Sequence, residues 1–209
     1  MIWNRVFGVA AMVAIGLFAA STLIVAQPAI AADAKIESKV DGSKLKKSKQ
    51  TNLGLYVTAG EAAEALKKDP NALLVDIRAR GEIMFVGGPT DTDKIIPYAE
   101  FGDYKFDEKK GAYKMVANPN FAEAIDALVE ERDGNKDTTI ILMCRSGSRS
   151  ASGADILAKR GYTNVYSMVD GFEGDKDKEG RRTVNGWRNA DLPWSYKMDE
   201  TAIYKSPID

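Results

Sequence analysis

Short, mainly apolar runs alternate along the chain with stretches whose apolar residues recur every three or four positions. The apolar runs cover residues 72–75, 138–143 and 165–169, and their length and composition are typical of buried strands. The amphipathic stretches between and beside them, at 59–68, 121–129 and 150–160, predict helices. Strands that alternate with helices predict an α/β fold, with a parallel sheet covered on both faces.

Helix boundaries are marked by residues that cap helix ends. Thr58 is followed three positions later by Glu61, which predicts a capping box at the start of the first helix. Asp69 and Pro70 predict its end. Residues 82–86 show no clear period, so no element is assigned to them.

The predicted strand at 138–143 ends at Cys144, the one cysteine of the chain. The small polar loop that follows leads into the predicted helix and reads Cys144-Arg145-Ser146-Gly147-Ser148-Arg149-Ser150. Loop N–H groups and a helix N-terminus, which carries roughly half a positive charge, both favour an anion there. We therefore interpret Cys144 as a thiolate nucleophile. The alternative, a small buried apolar side chain, is less favoured, because Arg, Ser and Gly typically form anion cradles.

A second polar group follows the predicted strand at 72–75. Asp76 and Arg78 come directly after it. The carboxyl ends of parallel strands meet at one edge of a sheet, where sites of such folds lie. We therefore expect Asp76 and Arg78 near Cys144.

Composition excludes several classes of function. The 209 residues contain no histidine, which removes Cys–His proteases, Ser–His–Asp hydrolases and histidine metal sites. With one cysteine, zinc and iron–sulfur centres are not expected, and no glycine-rich nucleotide motif is present. We expect neither a metal nor another cofactor. A net charge of −1 gives no support for nucleic-acid binding.

The pattern divides the chain into four segments. Residues 1–31 combine an early arginine, an apolar stretch and an Ala29-Ile30-Ala31 cleavage site, which predicts a signal peptide and a periplasmic or secreted protein. The alternative is an uncleaved membrane anchor. Residues 32–50 are lysine-rich and are predicted to be a solvated linker. Residues 51–197 form the predicted folded domain, and residues 198–209 are a tail without periodicity.

From about residue 55 to 194 the chain resembles the rhodanese family. Four blocks carry the resemblance: residues 73–78, residues 95–98, residues 141–151 with the cysteine loop, and residues 169–172 with Gly186 and Trp187. The resemblance implies that 51–197 is a rhodanese domain with a central parallel five-stranded sheet. It also implies a thiosulfate sulfurtransferase, which moves sulfane sulfur from thiosulfate or a persulfide to cyanide or a thiol, the thiol being that of a small molecule or a protein.

The resemblance also assigns roles to individual residues. It implies that Cys144 is the nucleophile and carries the persulfide, and that the N–H groups of residues 145–150 cradle the sulfur. Arg145 and Arg149 would hold the anionic donor. Asp76 and Arg78 would brace the loop, although for Arg78 a purely structural ion pair is an equal alternative.

Two further functions remain open at this point. One is an anion-binding or phosphatase-like domain. It is the less favoured one, because phosphatases related to this fold have a loop one residue longer than the four residues between Cys144 and Arg149. The family's Gly-His-Ile-Pro-Gly-Ala stretch is missing, and residues 101–116 and 174–184 resemble insertions that could reshape the mouth of the site. These insertions motivate the alternative of a non-enzymatic persulfide carrier that serves one protein partner.

Overall fold

The structure is a computed structural model that describes residues 35–205. The predicted signal segment lies outside the described residues. The strands are β1 (Tyr56–Val57), β2 (Leu73–Asp76), β3 (Gly88–Pro89), β4 (Lys94–Ile95), β5 (Ala99–Asp107), β6 (Ala112–Ala117), β7 (Ile140–Met143), β8 (Val165–Met168) and β9 (Trp194–Ser195). The α-helices are α1 (Ala59–Lys68), α2 (Arg80–Val86), α3 (Phe121–Glu131) and α4 (Ser148–Lys159), and short 3₁₀ helices cover Gly42–Lys44, Lys47–Lys49, Trp187–Ala190 and Glu200–Ala202.

One five-stranded sheet organises the domain. Its strands run in the order β1-β8-β7-β2-β4, and every neighbouring pair is parallel. The two central strands are paired so that Asp76 lies opposite Met143. The sheet confirms the predicted α/β fold with five parallel strands. The pairing of β2 with β7 brings the carboxyl ends of these two strands together.

The two faces of the sheet carry separate apolar cores. Along β7, Ile140 and Leu142 belong to one core, whereas Ile141 and Met143 belong to the other, as the alternation of a strand requires. The first core also contains apolar side chains of α3 and α4, and the second contains those of α1 and Trp187. Helices therefore cover both faces, as predicted, and both faces of β7 are buried.

The predicted capping box is present at the start of α1. The Thr58 hydroxyl accepts the Glu61 N–H at 3.3 Å, and the Glu61 carboxylate accepts the Thr58 N–H at 2.9 Å. The unassigned stretch at 82–86 belongs to the short helix α2. Of the seven residues of α2, only Ile83 is buried. The helix therefore has no continuous apolar face, and its sequence shows no helical period.

Most described residues of the lysine-rich segment are exposed, as a solvated linker requires, but the segment is also anchored to the domain near both ends. The Ile36 N–H donates to the Tyr166 hydroxyl at 2.8 Å. Near the other end of the segment, the Lys49 ammonium donates to the Val169 carbonyl at 2.9 Å and to the Asp175 carboxylate at 3.0 Å. Composition did not reveal the second anchor, because the partners of the Lys49 ammonium lie more than a hundred residues away.

The stretch predicted as a first insertion, residues 101–116, lies almost entirely within an antiparallel hairpin of β5 and β6. Phe101, Phe106 and Tyr113 on this hairpin are exposed. The tail also has structure where it is described, since Ile203 bridges to Ile95 in β4 and the Tyr204 N–H donates to the Ile95 carbonyl at 3.2 Å. The tail thus covers the outer edge of β4.

Asp170 is a buried carboxylate that offers a test of this packing. It accepts the Ala59 N–H at 2.9 Å and the Gly186 N–H at 3.2 Å. Burial raises the pKa of Asp170 from an ordinary value near 3.8 to about 6, in spite of these donors and the Lys49 ammonium. The folded state thus holds this proton more tightly than the unfolded chain does. The stabilisation is complete below about pH 4 and is lost as the pH rises through about 6.

We therefore expect the free energy of unfolding of the wild type, relative to Asp170→Asn, to fall by on the order of 2–3 kcal/mol between about pH 4 and about pH 7. Urea denaturation of both proteins at several pH values measures this difference. A difference that stays constant over this range would contradict the assignment.

Candidate active site

Cys144 follows β7 at the centre of the sheet, where the sequence pattern predicts it. Its side chain is buried, with 2% of the residue exposed. Gly147 turns the chain from the strand into α4 with a φ of 100°, and a Cβ there would lie 2.3 Å from the Val169 carbonyl oxygen. Only glycine fits this conformation and this space, so the tight turn beneath the helix is built into the sequence.

The loop directs N–H groups towards the sulfur. The Gly147 N–H donates to Cys144 Sγ at 3.1 Å. Ser148, Arg149 and Ser150 form the first turn of α4, whose N–H groups have no acceptor within the helix. Such a ring of donors beside a helix N-terminus is suited to an anionic sulfur.

A second segment holds the loop in place. The Phe172 N–H donates to the Cys144 carbonyl at 2.8 Å, and the N–H groups of Glu173 and Gly174 donate to the Arg145 carbonyl at 3.0 and 3.3 Å. Gly171 has a φ of 63°, and a Cβ on it would lie 2.4 Å from the Cys144 carbonyl oxygen. Residues 172–174 therefore hold the carbonyl groups of Cys144 and Arg145, while the Gly147 N–H faces the sulfur.

Arg149 has a different environment from the one we expected of a donor-binding residue. Its guanidinium donates two hydrogen bonds to the Glu82 carboxylate, at 2.6 and 2.7 Å, and both side chains are largely buried. Burial alone would raise the pKa of Glu82 and lower that of Arg149, but the pair outweighs it, so the pKa of Glu82 is lowered and that of Arg149 is raised. Arg149 thus ties the loop to α2.

Sequence reasoning missed Glu82. An acid in the first turn of α2, three residues after its N-cap Ala79, is a capping signal, and its carboxylate does accept the Ala79 N–H at 2.9 Å. No local sequence pattern predicts the contact of Glu82 with Arg149, because the two residues are 67 positions apart.

The other loop residues differ in exposure. Arg145 and Ser148 are exposed, Ser146 is half-buried, and Ser150 is buried. The Ser150 hydroxyl has no hydrogen-bond partner among residues 35–205. Over the same range, the Arg145 side chain makes no ion pair, so its charge is available at the mouth of the loop.

Asp76 and Arg78 form a buried ion pair beside the loop. Arg78 Nη2 donates to the Asp76 carboxylate at 2.6 Å and to the Gly87 carbonyl at 2.9 Å. The guanidinium stacks 4.1 Å above the ring of Phe172, whose N–H binds the Cys144 carbonyl. The pair is therefore in contact with the segment that shapes the loop, which is the arrangement that a bracing role requires.

A cavity of about 330 Å³ lies next to Asp76, between β3 and residues 195–202. Cys144 does not line it, so the cavity is separate from the sulfur site. Within residues 35–205, no group of three or more Cys, Asp or Glu side chains is placed to hold a metal ion. Over the same residues, no helix is long and apolar enough to cross a membrane.

Comparison with known proteins agrees with this arrangement. The family model of the rhodanese-like domain matches residues 58–178, more than half of the chain. The chain belongs to the rhodanese-like family. An uncharacterized protein of Rickettsia prowazekii is 31% identical over 140 residues, which are 67% of this chain and 96% of that protein.

Two further relatives connect this rhodanese-like chain to named proteins. The thiosulfate sulfurtransferase GlpE of Actinobacillus succinogenes is 31% identical over 105 residues, which are 50% of this chain and 73% of that protein. The crystal structure of Rv0390 from M. tuberculosis is 33% identical and covers 67% of this chain and 96% of its own, with a TM-score of 0.50. The relationship supports sulfur transfer, between a sulfur donor and an acceptor, as the general activity of the family.

The Arg149–Glu82 pair leads to a test of how the loop is held. We expect Glu82→Gln to lower the free energy of unfolding by about 3 kcal/mol, because a buried guanidinium loses its counter-charge. The double variant Glu82→Gln with Arg149→Met should be less destabilised than the sum of the two single variants. Urea denaturation of the four proteins measures this coupling.

A matched control for this cycle is Glu64→Gln, which breaks the exposed Glu64–Lys67 pair on α1. Exposed pairs contribute little, so stability should hardly change. Additive effects at Glu82 and Arg149 would show that the pair does not hold the loop.

Proposed function

We propose that the protein is a sulfurtransferase in which Cys144 takes sulfane sulfur from thiosulfate or a persulfide and passes it to cyanide or a thiol. The observation that carries the proposal is the buried Cys144 sulfur beneath a loop of N–H donors, with the Gly147 N–H at 3.1 Å. A persulfide has an anionic outer sulfur, which this loop is suited to bind. The similarity to a thiosulfate sulfurtransferase supports thiosulfate as the donor.

The first half-reaction forms the persulfide. The Cys144 thiolate attacks the outer sulfur of thiosulfate, and a new sulfur–sulfur bond forms. The original sulfur–sulfur bond of thiosulfate breaks, and sulfite leaves with the bonding electron pair. The helix N-terminus and the loop N–H groups stabilise the negative charge that remains on the outer sulfur. Arg145, exposed at the mouth of the loop, holds the oxygen atoms of the donor.

The second half-reaction empties the site. Cyanide or a thiolate attacks the outer sulfur of the persulfide, and the electron pair of the broken sulfur–sulfur bond returns to Cys144. Cyanide is thereby converted to thiocyanate, and a thiol acceptor becomes a persulfide. The roles of Asp76 and Arg78 are to hold Phe172, and through it the Cys144 carbonyl, in place during both steps.

A second candidate is a persulfide carrier that serves a protein acceptor, and the hairpin of β5 and β6 favours it. Met115 on β6 approaches Arg149 of the loop at 4.0 Å, so the hairpin stands beside the site. It exposes Phe101, Phe106 and Tyr113, and aromatic side chains are enriched in protein–protein contacts. Rapid sulfur loading together with slow turnover on cyanide and small thiols would favour this candidate.

The predicted signal segment motivates a further proposal, that the protein works in the periplasm or outside the cell. Detection of the protein in a periplasmic fraction, with an N-terminus after Ala31, tests it. A membrane fraction that retains the full-length chain would support the anchor instead.

We expect the wild type to gain the mass of one sulfur atom after incubation with thiosulfate and to lose it after cyanide, with formation of thiocyanate. Cys144→Ser should gain nothing, because its hydroxyl cannot form a persulfide. Intact-protein mass spectrometry measures both proteins. Ser146→Ala, which keeps the thiol and alters only a side chain of the loop, serves as a folded control.

Circular dichroism confirms that the Cys144→Ser protein is folded before it is compared. A reduced, folded wild type that takes sulfur from neither thiosulfate nor a small persulfide would refute the proposal.

A further inference from the structure

The second insertion, residues 174–184, folds back against the Cys144 loop. Its first residue, Gly174, donates its N–H to the Arg145 carbonyl at 3.3 Å. Lys176 and Arg182 form an antiparallel bridge across the insertion. The Asn189 side-chain amide donates to the Arg182 carbonyl at 3.3 Å. These contacts fix the position of Arg182 relative to the site.

The Arg182 guanidinium lies at the edge of the Cys144 loop. Its Nη1 donates to the carbonyl of Gly174, the residue whose N–H holds the Arg145 carbonyl. The side chain is partly buried, and burial together with the positive charge of Arg145 lowers its pKa. The carboxylates of Glu173 and Asp175 act in the opposite direction. Arg182 is therefore linked through Gly174 to Arg145 of the Cys144 loop.

Arg145 and Arg182 differ from four other cations of this region, each of which is paired with a carboxylate. Arg78 pairs with Asp76, Arg149 with Glu82, Lys49 with Asp175 and Arg181 with Asp177. Among residues 35–205, neither Arg145 nor Arg182 makes an ion pair with a carboxylate. Two guanidiniums without a carboxylate partner are thus connected to the Cys144 loop through Gly174, and the repulsion between their like charges is relieved when an anion binds.

We infer that Arg182 joins Arg145 in binding the anionic end of the sulfur donor, and that the insertion thereby selects donors that carry two negative charges. The inference rests on the proposed sulfurtransferase function. Guanidinium groups bind oxyanions through paired, charge-assisted hydrogen bonds, so two of them suit a dianion such as thiosulfate better than a monoanion. Residues 174–184 would then be the part of the chain that sets donor preference.

Direct binding is measured first, without turnover, by titrating thiosulfate into Cys144→Ser protein in a calorimeter. Adding Arg182→Gln should weaken binding about tenfold, since one charge-assisted contact is lost. The glutamine amide can still donate to the Gly174 carbonyl, so the insertion keeps its anchor. Adding Arg182→Lys, which retains the charge, should restore most of the affinity.

Arg181→Gln is the matched control, because Arg181 is the adjacent arginine but is exposed and paired with Asp177. It should bind thiosulfate as well as its parent does. If Arg182→Gln binds like its parent, or if Arg181→Gln is equally weakened, Arg182 is not part of the donor site.

Steady-state kinetics of proteins that retain Cys144 then test whether Arg182 selects between sulfur donors. Arg182→Gln should raise the KM for thiosulfate about tenfold and the KM for an aryl thiosulfonate, a monoanion, by much less, with kcat little changed for both. A purely structural role would alter both donors alike and would overturn the inference.

The two proposals fail in different ways. If Arg182→Gln takes up sulfur normally and its KM for thiosulfate is unchanged, Arg182 has no role in donor binding. The sulfurtransferase proposal would then still stand. The wild type could instead bind thiosulfate through Arg182 but never take up sulfur. That result would refute the sulfurtransferase proposal and support Arg182 as part of an anion-binding site.

Discussion

The hydrogen bonds between the Cys144 loop and residues 172–174 are the contact on which the site depends. A loop of N–H groups can face a sulfur only if its carbonyl groups are satisfied elsewhere, and here they accept N–H groups from the segment after β8. The approach is close enough to require glycine at positions 147 and 171. The parallel pairing of β7 with β8 brings the two segments to the same edge of the sheet. The strand pairing that forms the fold therefore also positions the site.

The arginines around the loop fall into two groups, those that are paired with carboxylates and those that are not. Arg78 and Arg149 are buried and paired with carboxylates, and both hold elements of the site together. Arg145 is exposed and unpaired among the described residues, and the Arg182 guanidinium binds the carbonyl of Gly174, whose N–H binds the Arg145 carbonyl. A guanidinium that is already neutralised has little attraction left for a substrate, so the free charges at the mouth are the ones suited to bind an anionic donor.

Segments outside the central sheet also shape the site. The lysine-rich segment is anchored at Lys49 to Val169 and Asp175, close to the residues that hold the loop. The hairpin of β5 and β6 stands on the other side, with Met115 beside Arg149. The mouth of the site is thus framed by parts of the chain that a bare parallel sheet with covering helices does not contain.

Local patterns in the sequence determined the strands β2, β7 and β8, the capping box at Thr58, and the position of Cys144 between a strand and a helix. These features depend on periodicity and on contacts between residues a few positions apart, so they can be derived without a structure. The placement of Asp76 and Arg78 beside the loop also followed, because parallel strands end at one edge. Only the tertiary structure decided that Arg149 pairs with Glu82, that Ile36 and Lys49 bind the domain, and that Arg182 and Arg145 both bind Gly174. The charged side chains of this chain have many partners of suitable sign, and which of them meet is set by packing between distant segments.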